Sequence, residues 1–261
     1  MVDTALEVKG LTKTFGKGSS AVHAVKDISF AVPTGQTIAL LGGNGAGKTT
    51  TISMLLGLLT PTSGDVLVLG HDMTREPDKV LGRINLSSPY VDVPRRLTVR
   101  ENLTVYGHLY GVKALKEKIK ALAEELELAG FLDRNYGTLS AGQKTRVAMA
   151  KALMNDPELL LLDEPTASLD PDTGDWIRSF LEGWRDRTGA TILLASHNMA
   201  EVERLCDRVI MMREGTIVDQ DTPRGLIDRF GRQNLEEVFL DIARNRNRTP
   251  GDASGDGEAA Q

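Results

Sequence analysis

Gly42-Gly43-Asn44-Gly45-Ala46-Gly47-Lys48-Thr49-Thr50 follows the apolar run Thr37-Ile38-Ala39-Leu40-Leu41 and opens into Thr51-Ile52-Ser53-Met54-Leu55-Leu56. The glycines at 42, 45 and 47 let successive backbone N–H groups converge on an anion without interference from a Cβ. The helix that follows points its positive end at the same spot. In the spacing G-x-x-x-x-G-K-[ST], Lys48 meets the β- and γ-phosphates of a nucleotide and the Thr49 hydroxyl holds the accompanying Mg²⁺. A strand before and a helix after is the context such a loop requires, and it sets this stretch apart from a flexible glycine turn.

The 261 residues give room for one large α/β domain or two modest ones. A formal net charge of −5 lacks the basic footprint of a nucleic-acid binder, so no nucleic-acid partner is expected. Cys206 is the single cysteine; it has no intrachain disulfide partner and reads as a small buried hydrophobe in a reducing, cytoplasmic setting. Met1 to Glu7 carries no signal-peptide pattern, and no apolar run approaches the ~20 residues that cross a bilayer. Any membrane span is therefore expected on another chain.

Around the loop, Leu6 to Lys9 and Val22 to Val32 alternate apolar and polar residues as half-buried antiparallel strands do, with Thr12 to Ser20 read as the loop between them. Pro33-Thr34-Gly35 turns the chain into Thr37 to Leu41, whose continuous apolar character is that of a buried central strand. Pro61 to Gly64 is a second turn before the strand Asp65 to Leu69. From about Arg83 to Leu153 the texture becomes helical. Thr98 and Glu101 form a capping-box pattern opening a helix toward Gly111, and Leu115, Ile119, Leu122 and Leu126 line one face of a helix read as ending at Gly130.

Leu139-Ser140-Ala141-Gly142-Gln143 places Ser140 to cap a helix through Val147 to Leu153, and that helix start is a second anion site. Leu159 to Leu162 is a buried strand ending in Asp163 and Glu164, adjacent carboxylates suited to holding a metal and activating water beside it. Asp170-Pro171 starts another helix, and Ala190 to Ser196 is a strand delivering His197 at its C-terminal end, where open α/β sheets bind ligands. Arg208 to Met212 and Thr216 to Val218 pair about Glu214-Gly215. Asn234 caps a terminal helix, and the aperiodic stretch 246–261 reads as disordered.

In this order the motifs resemble those of the nucleotide-binding subunits of ATP-binding cassette (ABC) transporters, over essentially Leu6 to Arg244. Gly42 to Thr49 matches the Walker A loop, Leu139 to Gln143 the LSGGQ signature, Leu159 to Glu164 the Walker B strand with its acid, Ser168-Leu169-Asp170 the D-loop, and His197 the switch histidine. The resemblance implies an α/β P-loop NTPase core with an antiparallel β subdomain and a helical insert subdomain. It gives a single domain over 1–245, with the insert at about 88–155. Three departures stand out. Ala141 replaces the first of two adjacent glycines, which spares Gly142. Phe15 takes the place of an adenine-stacking tyrosine and keeps its π-face; a core Phe between strands is the alternative. No glutamine occurs at Ile84 to Tyr90, where the family has one at the metal: either Ser88 reaches the metal through a water or the contact is missing.

The resemblance also implies the roles. ATP is the ligand: Phe15 stacks on the base, and Gly42 to Thr50 hold its phosphates. Thr49 and Asp163 hold Mg²⁺, Glu164 polarises the attacking water, Lys48 neutralises phosphate charge, and His197 senses the γ-phosphate. Ser140, Gly142 and Gln143 serve the ATP of a second cassette, so a homodimer is expected, with Asp170 near the seam. A separate permease would dock around Ser87 to Tyr110, which sets the protein at the cytoplasmic face of the cell membrane; Tyr90, Val91, Val93 and Pro94 are candidate contacts, with a solvated or locally packed loop as the alternative. The Asn234 to Phe239 region looks like that of exporter subunits. A soluble ABC ATPase without a permease, and a regulator that hydrolyses weakly, are the alternatives.

Overall fold

The structure is a computed structural model that describes residues 3–88, 92–167 and 169–244. The strands β1 (Thr4–Phe15), β2 (Val22–Pro33), β4 (Ser63–Val68) and the short β5 (His71–Asp72) form an antiparallel sheet in the order β2-β1-β4-β5. The others, β3 (Thr37–Leu41), β6 (Ile84–Ser87), β7 (Leu159–Asp163), β8 (Thr191–Ser196), β9 (Arg208–Arg213) and β10 (Thr216–Asp221), form a six-stranded sheet in the order β10-β9-β3-β8-β7-β6. Pairing in it is parallel from β9 to β6, and β10 returns antiparallel along the edge.

Every residue of β3, β7 and β8 is buried, which explains their unbroken apolar sequences: each strand feeds two cores. Alternation divides them. Ile38, Leu40, Leu159, Leu161, Leu193 and Ala195 pack toward the antiparallel sheet and α1 (Lys48–Leu55). Ala39, Leu41, Leu160, Leu162, Ile192 and Leu194 face a helical layer. That layer comprises α2 (Val99–Leu109), α3 (Leu115–Glu125), α4 (Ala141–Ala152), α5 (Pro171–Thr188), α6 (Met199–Leu205), α7 (Pro223–Phe230) and α8 (Leu235–Arg244). All strands of the parallel run therefore present their C-terminal ends at one edge.

Several expectations change. β1 continues through Thr12 to Phe15, so only Gly16 to Ala21 is loop, built on a 3₁₀ turn at Gly18–Ser20. The strand after Pro61 is Ser63–Val68 rather than Asp65 to Leu69. The region after Arg83 begins with a strand, β6, which edges the parallel sheet before the helices start. Gly130 does not end α3. The helix stops at Glu125, and Glu127 takes the left-handed conformation (φ 55°), with its carboxylate on the Arg146 guanidinium. The short helices α6 and α7 are additions to the sequence reading. Pro89, Tyr90, Val91, Ser168 and the 246–261 stretch lie outside the described residues.

Gly64 shows how closely the antiparallel sheet is built. It sits in β4 at φ 88°, and a Cβ there would fall 2.3 Å from the Gly10 carbonyl oxygen in β1. Both strain and clash oppose a side chain, so Gly64→Ala is expected to destabilise the fold by at least about 2 kcal/mol. Urea denaturation monitored by circular dichroism measures it.

Candidate functional site

The order β9-β3-β8-β7-β6 sets β8 between β3 and β7, so three chain segments emerge side by side at the C-terminal edge. Leu41 pairs with Ser196, and Asp163 pairs with Ala195. The glycine loop follows β3, the acid pair Asp163-Glu164 ends β7, and His197 follows β8.

The loop is glycine by necessity. A Cβ on Gly42 would lie 2.5 Å from Met212 O and 2.8 Å from Ala46 Cβ; one on Gly47, at φ 101°, would lie 2.7 Å from Ala24 O. Gly45 also takes a left-handed conformation, at φ 76°. Gly43, Asn44, Gly45 and Thr49 are exposed, Lys48 and Thr50 half-buried, and Ala46 buried. Gly47 starts α1 without any side-chain cap, so no side chain accepts from the first-turn amides, an arrangement that could hold an anion. Lys48 Nζ donates to the Gly42 carbonyl (2.5 Å) and the Gly43 carbonyl (3.3 Å), holding the ammonium over the loop. Burial lowers its pKa, and the Glu164 and Asp163 carboxylates work against that.

Across the edge, burial raises the Asp163 pKa and the neighbouring Glu164 charge adds to it, while the Ser88 hydroxyl and Lys48 oppose. Ser88 Oγ lies 3.4 Å from Asp163 Oδ2, the donor set being hydroxyl and carboxylate. Glu164 adopts the left-handed conformation (φ 53°), its N–H donating to Ala195 O at 2.8 Å. Its carboxylate Oε2 stands 2.7 Å from His197 Nδ1 and also accepts from the His197 N–H at 3.4 Å. The His197 side chain is 69% exposed while that of Glu164 is 13% exposed.

The other expected residues stand on other elements. Phe15 ends β1 with 43% of its surface exposed and Lys13 Nζ 5.1 Å from its ring centre, so the core alternative does not hold. Ser140 caps α4 in a full capping box: its Oγ accepts from the Gln143 N–H, and Gln143 Oε1 accepts from the Ser140 N–H. Gln143 is thus folded back on its own helix. Gly142 packs on the first turn of α5, where a Cβ would fall 3.1 Å from Thr173 Cγ2. Asp170 caps α5 through the Thr173 N–H, as its sequence signals. Val93, an expected docking contact, is buried in the helical layer, whereas Pro94 is exposed. A cavity of about 610 Å³ opens elsewhere, at the N-terminal ends of the strands near Thr34, Arg83, Glu158 and Ala190, away from all these groups.

Glu201 is not among the residues that the sequence singles out. It is fully buried behind Glu164, with Thr166 Oγ1 donating to one carboxylate oxygen (2.9 Å) and Ser196 Oγ to the other (2.6 Å). The available signal was Asn198-x-x-Glu201, a capping spacing directly after His197; Asn198 does accept the Glu201 N–H.

A left-handed glutamate costs about 1 kcal/mol or more relative to helical or extended backbone. Asn tolerates that conformation and removes the like charge beside Asp163, while an ion pair with the largely exposed His197 ring is worth little. Glu164→Asn is therefore expected to raise the melting temperature, by a stabilisation of about 1 kcal/mol, in differential scanning calorimetry.

The family model described as ABC transporter matches residues 25–167, just over half of the chain. The ABC transporter ATP-binding protein NatA of Bacillus subtilis (strain 168) is 34% identical over 232 residues, covering 88% of this chain and 94% of NatA. The Nod factor export ATP-binding protein I of Rhizobium sp. (strain N33) is 37% identical over 241 residues, 92% of this chain and 78% of that protein. The fold matches the dimeric post-hydrolysis state of the ATP-binding cassette MJ0796 bound to ADP and Pi with a TM-score of 0.77 and 25% identity, over 83% of this chain and 98% of that one. With a glycine loop and an acid-ended strand brought to one sheet edge, the chain belongs to the ABC transporter family, as an ATP-binding subunit that hydrolyses ATP.

Proposed function

We propose that Glu164 is the general base of this ATPase, that two copies close on ATP, and that the dimer drives a separate membrane permease, in the direction of export. The Glu164–His197 contact at the strand edge beside the phosphate loop carries the reading. Hydrolysis of a phosphoanhydride asks the protein to neutralise charge and aim a water. The loop amides and Lys48 meet the β- and γ-phosphate oxygens. Glu164 accepts the proton of the attacking water, and His197 turns its exposed ring to the γ-phosphate. Phe15 offers its free face to the adenine.

Thr49, Asp163 and the Ser88 hydroxyl beside it are hard oxygen donors, a set that fits Mg²⁺. Bound there, Mg²⁺ would supply positive charge to the phosphate oxygens. Ser88 lies in the segment where the family has a glutamine, and its hydroxyl would help hold the Asp163 carboxylate as a ligand.

Ser140 and Gly142 stand at a helix start that packs on α5, whereas the phosphate loop is walled by Met212, Ala24 and Gly215. The reading gives that helix start to the ATP of the second copy, with Asp170 at the seam, in keeping with the dimeric cassette MJ0796. The permease is read as a separate chain and this subunit as peripheral to the membrane's cytoplasmic face; among the described residues no helix is long and apolar enough to cross a membrane. Pro94 and the exposed Val105 and Leu109 of α2 form its docking face. The export direction rests on the likeness to the Nod factor export proteins.

Glu164→Gln is expected to bind ATP as the parent does and to lose turnover by at least about 100-fold in a phosphate-release assay. With ATP and Mg²⁺ the same variant sediments as a dimer; a monomer argues against the shared site. Phe15→Ala weakens ATP binding by about tenfold in calorimetry, the worth of one stacked base.

A further inference from the structure

Glu201 joins two turns that come from different strands. Thr166 lies two residues beyond Glu164, after β7; Ser196 immediately precedes His197, at the end of β8. Where the paired strands end, the backbone ties the two segments through the Glu164 N–H to Ala195 O bond. A single carboxylate receives both hydroxyls, one on each oxygen, at 2.9 and 2.6 Å, from a side chain with no solvent exposure. Asn198 completes the arrangement: its N–H donates to Ser196 Oγ at 3.0 Å, and its side chain accepts the Glu201 N–H at 3.3 Å. Ser196 Oγ is thus committed as both acceptor and donor, and its rotamer is fixed. We propose that Glu201 is a positioning residue that clamps the turn carrying Glu164 to the turn carrying His197 and so sets their contact for hydrolysis.

The need for a clamp follows from the site itself. Glu164 sits in a left-handed conformation that its own side chain disfavours, beside the like charge of Asp163, and the surroundings must hold it there. The His197 ring is largely exposed, so packing does little to orient it. Burying a carboxylate is itself costly, and only donors on both oxygens offset that cost. Burial raises the Glu201 pKa, with the two hydroxyls and Arg178 opposing and the Glu164 charge adding. An acid or amide of the same shape accepts from Ser196 and meets the Thr166 hydroxyl equally well. Shape and hydrogen bonding, rather than charge, are what the clamp requires.

The inference rests on Glu164 being the base, and the test separates the two. Glu201→Ala, Glu201→Gln, Thr166→Val and Ser196→Ala are compared with the parent for kcat, ATP affinity and melting temperature. The ring-nitrogen NMR signals of His197 are followed among the chain's four histidines and assigned with His197→Ala. Glu201→Ala is expected to lower kcat by about 100-fold, the cost of misplacing reacting groups, with ATP affinity unchanged and the His197 signals shifted. Glu201→Gln recovers most of both, a rescue that general destabilisation would not show. Thr166→Val and Ser196→Ala each remove one donor, shift the same signals and carry the test if Glu201→Ala does not fold. A folded Glu201→Ala with parental kcat, or with unshifted His197 signals, overturns the proposal. Glu164→Gln is run alongside: parental turnover there overturns the base assignment alone, and the His197 signals still decide whether Glu201 sets the contact.

Discussion

The backbone pairing of β8 with β3 on one side and β7 on the other is the constraint on which the site depends. Parallel strands exchange evenly spaced hydrogen bonds, and a slip of one residue would turn every side chain to the opposite face. Here such a slip would send Asp163 into the helical core and aim His197 away from Glu164. Two separate apolar cores grip the strands from both faces and forbid it. The strand ends that carry Asp163, Glu164 and His197 are thus kept in register by buried core residues, among them Leu160, Leu162, Leu193 and Leu194.

Within that frame the site is held under electrostatic tension. Asp163 and Glu164 are adjacent acids, one buried and the other in a disfavoured backbone region, and both face a partly buried lysine. Lys48 satisfies itself on the carbonyls of Gly42 and Gly43, which are weaker partners than a phosphate. Each of these groups is better matched when an anion and a cation are present together than when neither is. In the proposed site an anion on Lys48 and a cation on the acid pair would relieve this tension together.

Local signals made much of this legible. The glycine loop, the capping boxes at Thr98 and Ser140, the Asp170-Pro171 helix start and the apolar strands all carry their physics within four or five residues, and each forms as expected. The errors fall where the cause is distant. Gly130 reads as a helix stop, yet α3 ends earlier because Arg146, from another helix, holds Glu127 in a left-handed turn. Thr12 to Phe15 reads as loop, yet β2 and β4 recruit it into the sheet. Val93 reads as either a docking contact or part of a solvated or locally packed loop, and the helical layer covers it. Glu201 is the clearest case: its partner Thr166 lies thirty-five residues away, and no spacing rule reaches that far.

The two helix starts assigned to phosphate differ in one respect. α4 is finished by its own sequence: Ser140 and Gln143 satisfy each other, so the turn is ordered before anything binds. α1 begins at a glycine with no side chain to close it. On the proposed reading, a nucleotide phosphate supplies to α1 the cap that its own sequence does not. In the proposed shared site one helix start is closed by its own sequence and the other by the ligand, which would tie the order of the first turn of α1 to the supply of ATP.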